Sequence, residues 1–207
     1  NDRKKAVATT WPAFARALRP HADRRVPVEE RRPDGARIQR VVRVADFLRR
    51  AESKTTETPW YLAQHRLFDQ LPGLGAAVGV ASVETDDDPR VTRAVWIGGA
   101  VETPPHADPH DNLFVQLVGT KRWTFWPPRE AETGNDACCG FEASTTTTLT
   151  VGQRQEDDLQ NLGPPTSTID LAPGDVLFVP RRWVHAVSTP ALAVGVNYWV
   201  RLDDETR

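Results

Sequence analysis

The 207-residue chain contains no methionine, only two cysteines, only four lysines and no long apolar run. The cysteines, Cys138 and Cys139, are neighbours, so they offer neither a disulfide framework nor thiolate metal-ligand spacing. They read as two reduced thiols of an intracellular protein, cytoplasmic or nuclear. Nothing approaches the ~20 apolar residues of a membrane-spanning helix, and no signal-peptide pattern is visible. With Asn1 in first place and no methionine, we expect the natural N-terminus to lie upstream. The formal charge of −2 demands no basic face for nucleic acid, so a nucleic-acid partner is disfavoured. Basic residues are nearly all arginine, and lysine occurs only at positions 4, 5, 54 and 121. This scarcity singles out Lys121.

What is present suits a globular domain: 39% hydrophobic and 26% charged residues, enough for a buried core. Residues 10–24 predict a helix around WPAFARAL. RRVPVEER predicts a short strand closed by the turn RRPDGAR, and IQRVVRVADFLRRAE a strand running into a helix. WYLAQHRLFDQLPGL has Leu67, Phe68 and Leu71 at helical spacing before a Pro-Gly turn. VTRAVWIGG, NLFVQLVG, KRWTFWPP, STIDLA, DVLFVP, HAVST and ALAVGVNYWV predict strands. Short strands with Gly/Pro punctuation indicate a sandwich or barrel. Residues 131–165 are polar and turn-rich and read as a long insertion. The threonine run 145–148 suits an edge strand.

HADPHDNLFVQLVGTK, residues 106–121, carries the chemistry. On a strand, His106 and Asp108 share a face. An imidazole beside a carboxylate supplies two legs of a two-histidine, one-carboxylate Fe(II) site, although an HxD pair alone reads equally as a surface turn. Of the five histidines, at 21, 65, 106, 110 and 185, His185 is the natural third ligand. It opens a strand after GDVLFVPRRWV. His21 and His65 read as surface or packing groups, and His110 and Asp111 as solvated or supporting ones. Gly119-Thr120 fits a two-residue hairpin turn. That register places Val118 opposite Lys121, Gln116 opposite Trp123 and Phe114 opposite Phe125, so Lys121 shares a face with Asn112, Phe114 and Gln116. If the strand extends back through 109–111, His106 and Asp108 join that face. A lysine among Phe and Trp is costly without an anion. An anionic co-substrate near the metal would supply one.

TPPHADPHDNLFVQLVGTKRWTFWPP resembles the JmjC, cupin-like 2-oxoglutarate oxygenases, whose motif runs T/S-P-x-H-x-D, N, G-x-K, P. PGDVLFVPRRWVHAV followed by VNYWV resembles the second half of their domain. WYLAQHRLFDQLPGL and RRVPVEE resemble the group that includes lysine-specific demethylase 8 and is associated with peptidyl-arginine hydroxylation. The resemblance implies a mainly β fold, a double-stranded β-helix or jelly roll with flanking N-terminal helices. Residues 1–25 form a helical lead-in and 26–207 the catalytic domain. It implies Fe(II) on His106, Asp108 and His185. It places 2-oxoglutarate against Tyr61, Thr103, Asn112, Lys121, Asn197 and Trp199, dioxygen at the remaining iron position, and a substrate pocket at Glu29 and Trp96. No catalytic residue beyond the metal centre is implied. The expected activity is hydroxylation of a protein or peptide side chain, arginine first, since a carboxylate and an aromatic plane suit a guanidinium. Oxidation of a small molecule or natural product, N-methyl-lysine demethylation, and a non-enzymatic cupin-like binding protein are the alternatives. Ala107 inside HxD departs from the larger residue of many relatives.

Overall fold

A computed structural model describes residues 9–31, 36–53, 60–80, 88–127 and 162–201. The expected insertion at 131–165, with both cysteines and the threonine run, falls largely outside them.

The N-terminal part supplies short helices. Helix α1 (Trp11–Leu18) carries Pro12 in its first turn, which the fixed φ of proline suits, and runs into a 3-10 turn at Arg19–His21. Strands β1 (Arg25–Arg31) and β2 (Arg37–Arg43) pair antiparallel, and helix α2 (Val44–Glu52) follows directly. Val44, Phe47 and Leu48, spaced i, i+3, i+4, form the buried stripe of α2. The segment that carries Leu67, Phe68 and Leu71 at helical spacing opens as strand β3 (Trp60–His65). Tyr61 and Leu62 point to opposite faces, and β3 pairs with β1. Helical spacing takes over only at α3 (Leu67–Gln70) and α4 (Leu74–Val78), after Gln64 adopts φ 49°.

The rest is strand: β4 (Val91–Gly98), β5 (Val101–Ala107), β6 (Asp111–Val118), β7 (Lys121–Trp126), β8 (Ser167–Leu171), β9 (Val176–Val179), β10 (Val184–Thr189) and β11 (Ala193–Val200). A seven-stranded sheet has the order β2-β1-β3-β4-β11-β6-β9, and a four-stranded sheet the order β5-β10-β7-β8. Every pairing is antiparallel. Facing each other, the sheets form the expected jelly roll.

Period-two alternation sorts the large sheet's side chains into two cores. Val95, Ile97, Val194, Val196 and Tyr198 point outward and pack with Phe14, Leu18, Phe47 and Leu67. Their strand neighbours Trp96, Gly195, Asn197 and Trp199 point inward. Between the sheets, Phe114, Trp123, Phe125, Leu171, Val179 and Val187 form the second, smaller core. This inner layer holds the chemistry.

The expected hairpin over Gly119-Thr120 does not form. β6 pairs with β11 and β9, whereas β7 pairs with β10 and β8. Gly119, at φ 66°, is a corner that carries the chain from one sheet to the other. A Cβ there would lie 2.4 Å from the Leu192 carbonyl oxygen. Phe114 and Trp123 therefore meet edge to face across the sandwich, with centroids 4.9 Å apart, rather than side by side on one sheet. Nor does β6 run back through 109–111 to His106, because Asp108–His110 break the strand. The residues still converge: two inward faces of opposed sheets enclose one space.

Candidate metal centre and co-substrate pocket

His106 is the next-to-last residue of β5 and His185 the second of β10, and they are direct partners in the antiparallel register. Their rings lie 4.3 Å apart. Asp108 follows β5 by one residue, and its main chain is held where its carbonyl accepts the Arg182 N–H at 2.9 Å. Arg182 itself sits at φ 68° in the turn before β10. The two carboxylate oxygens face different histidines: Oδ1 is 4.0 Å from His106 Nε2 and Oδ2 is 3.9 Å from His185 Nε2. All three donor groups lie within 4.8 Å of one another, and they form the only such cluster among the described residues. His21, His65 and His110 are not part of it. His65 bonds instead to Gln70 at 2.7 Å.

The second ring nitrogens are engaged in the same way in both histidines. His106 Nδ1 lies 2.9 Å from the Pro104 carbonyl and His185 Nδ1 3.0 Å from the Trp183 carbonyl, each two residues upstream. A carbonyl accepts, so Nδ1 carries the proton and Nε2 presents its lone pair to the cluster. Burial and the neighbouring His106 hold His185 well below its ordinary pKa, which keeps it neutral. Trp123 stacks on His185 at 5.3 Å, with Phe125 at 6.2 Å, closing the site with apolar surface. Two imidazoles and one carboxylate form a donor set suited to non-haem Fe(II).

The inner core also holds a second polar group. Lys121 is 3% exposed, and its ammonium donates to Tyr61 Oη at 3.2 Å and Thr189 Oγ1 at 3.1 Å. Both acceptors are neutral. Burial pushes Tyr61 above its ordinary value, with Glu29 adding to the effect, so it remains a phenol. Burial drives Lys121 down from 10.5 to about 7. Asn112, 1% exposed, has no hydrogen-bond partner for either amide atom among the described residues. A buried cation between two hydroxyls and an unsatisfied amide leave a place for an anionic, hydrogen-bonding ligand.

The remaining expected residues take distinct places. Trp199 donates its indole N–H to Asp108 Oδ2 at 3.1 Å. Trp96 donates to Asn197 Oδ1 and meets both Tyr61, at 6.1 Å, and Trp199, edge-on at 6.4 Å. Thr103 stands opposite Val187 on the inner face. The hydroxyl that joins Tyr61 on Lys121 comes from Thr189, a residue the sequence reading passed over. Alternation from His185 through Val187 to Thr189 was the available signal. Glu29 is the β1 partner of Tyr61, and its carboxylate lies 3.7 Å from the guanidinium of Arg37. No helix among the described residues is long and apolar enough to cross a membrane.

Comparison with known proteins agrees with this architecture. Residues 3–205 match the family described as the cupin-like domain. The chain is 29% identical to Jumonji C domain-containing protein 5 of Drosophila melanogaster, over 91% of this chain and 51% of that protein. It is 30% identical to lysine-specific demethylase 8 of Danio rerio, over 94% of this chain and 52% of that protein. It thus spans about half the length of these curated relatives. The Escherichia coli structure of YcfD superposes with a TM-score of 0.56 at 15% identity, over 99% of this chain and 48% of that one. A structure of YcfD, described as a ribosomal oxygenase in complex with cobalt and 2-oxoglutarate, gives 0.53 at 16% identity, over 98% and 46%. At that identity these two structures bear on the fold.

Proposed function

Because the chain belongs to the cupin-like domain family, in its JmjC branch, we propose that it is an Fe(II)- and 2-oxoglutarate-dependent oxygenase that hydroxylates a protein or peptide side chain, arginine first. The observation that carries this reading is the pairing of the His106/Asp108/His185 cluster with a buried Lys121 that meets no anion among the described residues.

His106, Asp108 and His185 would hold the iron. When bound, the centre supplies the coupled oxidation of 2-oxoglutarate to succinate and CO2 and of a substrate C–H bond to C–OH, with dioxygen as oxidant. The chain's own residues provide placement. Lys121 pairs with the distal carboxylate of 2-oxoglutarate, and Tyr61 and Thr189 aim the ammonium. Asn112 offers its unpaired amide to the same ligand. Phe114, Trp123 and Phe125 exclude water, which strengthens every ionic contact inside. Glu29 and Trp96 offer a carboxylate and an aromatic face to a substrate guanidinium. That carboxylate already tolerates one guanidinium, that of Arg37, which an incoming arginine would displace.

N-methyl-lysine demethylation is the second reading, favoured by the name of the Danio rerio relative. It begins with the same C–H hydroxylation and ends in release of formaldehyde. The deciding experiment supplies Fe(II), ascorbate, 2-oxoglutarate and oxygen with arginine or methyl-lysine peptides, following succinate by NMR and peptide mass. We expect succinate from wild type and none from His106→Ala. An arginine peptide should gain one oxygen, and Glu29→Ala should abolish that gain. Formaldehyde with a methyl-lysine peptide and no oxygen gain on arginine would select the second reading. If the metal-loaded protein does not bind 2-oxoglutarate, the oxygenase reading fails.

A further inference from the structure

We infer that Trp199 is a positioning residue of the metal centre, whose indole N–H sets the orientation of the Asp108 carboxylate. This rests on the reading that His106, Asp108 and His185 hold a metal.

The three ligands are not braced alike. Each histidine is locked by a carbonyl two residues upstream on its own chain segment. Asp108 lies just beyond β5, where the strand has ended. Its main chain is tied to Arg182, but that bond leaves the side-chain torsions free. The hydrogen bond its carboxylate accepts comes from the opposite sheet, from Trp199 on β11 at 3.1 Å. It lands on Oδ2, the oxygen facing His185, and leaves Oδ1 toward His106. Without that donor the carboxylate can rotate, and neither oxygen is bound to face a histidine.

Trp199 is itself held. Trp96 meets it edge-on, and the Trp96 N–H is fixed on Asn197, two residues before Trp199 on the same inward face. Trp96 in turn packs on Tyr61, whose hydroxyl accepts from Lys121. A contiguous row, Lys121–Tyr61–Trp96–Trp199–Asp108, thus joins the co-substrate anchor to the metal ligand whose carboxylate, among the described residues, has no brace from its own segment. The role differs from that of a pocket wall: a wall needs the ring, whereas positioning needs the N–H.

Trp199→Phe keeps a ring and removes the donor. We expect it to raise the Co(II) dissociation constant about 10- to 100-fold, the range for losing a ligand's hydrogen-bond partner, and to change the Co(II) absorption bands. Trp11→Phe, on α1, is expected to leave both unchanged. A second measurement leaves Trp199 in place. In the metal-free protein, one of the seven indole N–H resonances should differ between wild type and Asp108→Asn, which replaces the charged acceptor by an amide. Wild-type Co(II) affinity in Trp199→Phe, or no indole resonance responsive to Asp108→Asn, overturns the inference and leaves the metal centre standing. A wild type that binds no Co(II) overturns the metal centre, and the inference with it.

Discussion

Replacing Lys121 by Met should make the protein more stable in mild acid while weakening co-substrate binding. Lys121 titrates in an unfolded chain near 10.5 and in the folded protein at about 7, because burial disfavours its charge. Below pH 7 the ammonium is charged in both states, and the folded state bears the full difference. At about 1.4 kcal/mol per pH unit, this is about 5 kcal/mol. Between pH 7 and 10.5 the unfolded chain binds more protons than the folded one, so wild-type stability rises with pH and the cost shrinks, to about 2 kcal/mol at pH 9. Met fills much the same space without charge. Against this stand the Tyr61 and Thr189 hydroxyls, which lose their donor, and the ammonium's contacts with the Tyr61 and Phe114 rings at 5.6 and 5.9 Å. Together these return about 2–3 kcal/mol. The net is a stabilisation of about 2–3 kcal/mol at pH 6 that vanishes near pH 9. Urea unfolding of both proteins at pH 6 and pH 9 measures it. In the same variant, 2-oxoglutarate affinity should fall at least about 30-fold, the low end for losing one partner of a buried charge pair. A Lys121→Met protein less stable than wild type at pH 6, or with an unchanged difference at pH 9, would refute the reasoning.

Three further outcomes follow from the same geometry. The affinity of the metal-loaded protein for 2-oxoglutarate should be flat below pH 7 and fall about tenfold per pH unit above it, as free Lys121 loses its proton. Calorimetry in buffers of different ionisation enthalpy should show proton uptake at pH 8. Thr189→Val, which keeps the shape and removes one acceptor from Lys121, should raise the KM for 2-oxoglutarate about 3- to 10-fold with kcat little changed. Gly195→Ala would place a Cβ 2.1 Å from Phe114 Cζ and push that ring against Trp123, the ring stacked on His185. We expect a loss of about 1–3 kcal/mol in urea unfolding, with weakened Co(II) binding.

Much of this protein was determined locally. The alternation in ALAVGVNYWV sends Val194, Val196 and Tyr198 to one side and Gly195, Asn197 and Trp199 to the other, a consequence of strand period alone. The HxD pair with a distant strand histidine singled out the three residues that the fold brings together, because few residue types suit a metal and their order is visible in a linear chain. Lys121 stood out because lysine is rare here and its neighbours are aromatic. The tertiary structure decided how these pieces meet. Gly119-Thr120 suits a hairpin in isolation, but β6 has better partners in β11 and β9, and β7 in β10 and β8, so the turn became a corner between sheets. Lys121 therefore reaches Tyr61 and Thr189, from β3 and β10, rather than neighbours across a hairpin. Trp199 finds Asp108 across the sandwich, 91 residues away in the chain. No local pattern encodes such contacts. They depend on which strands pair and on how closely two sheets approach, and those are settled by the packing of the whole inner core.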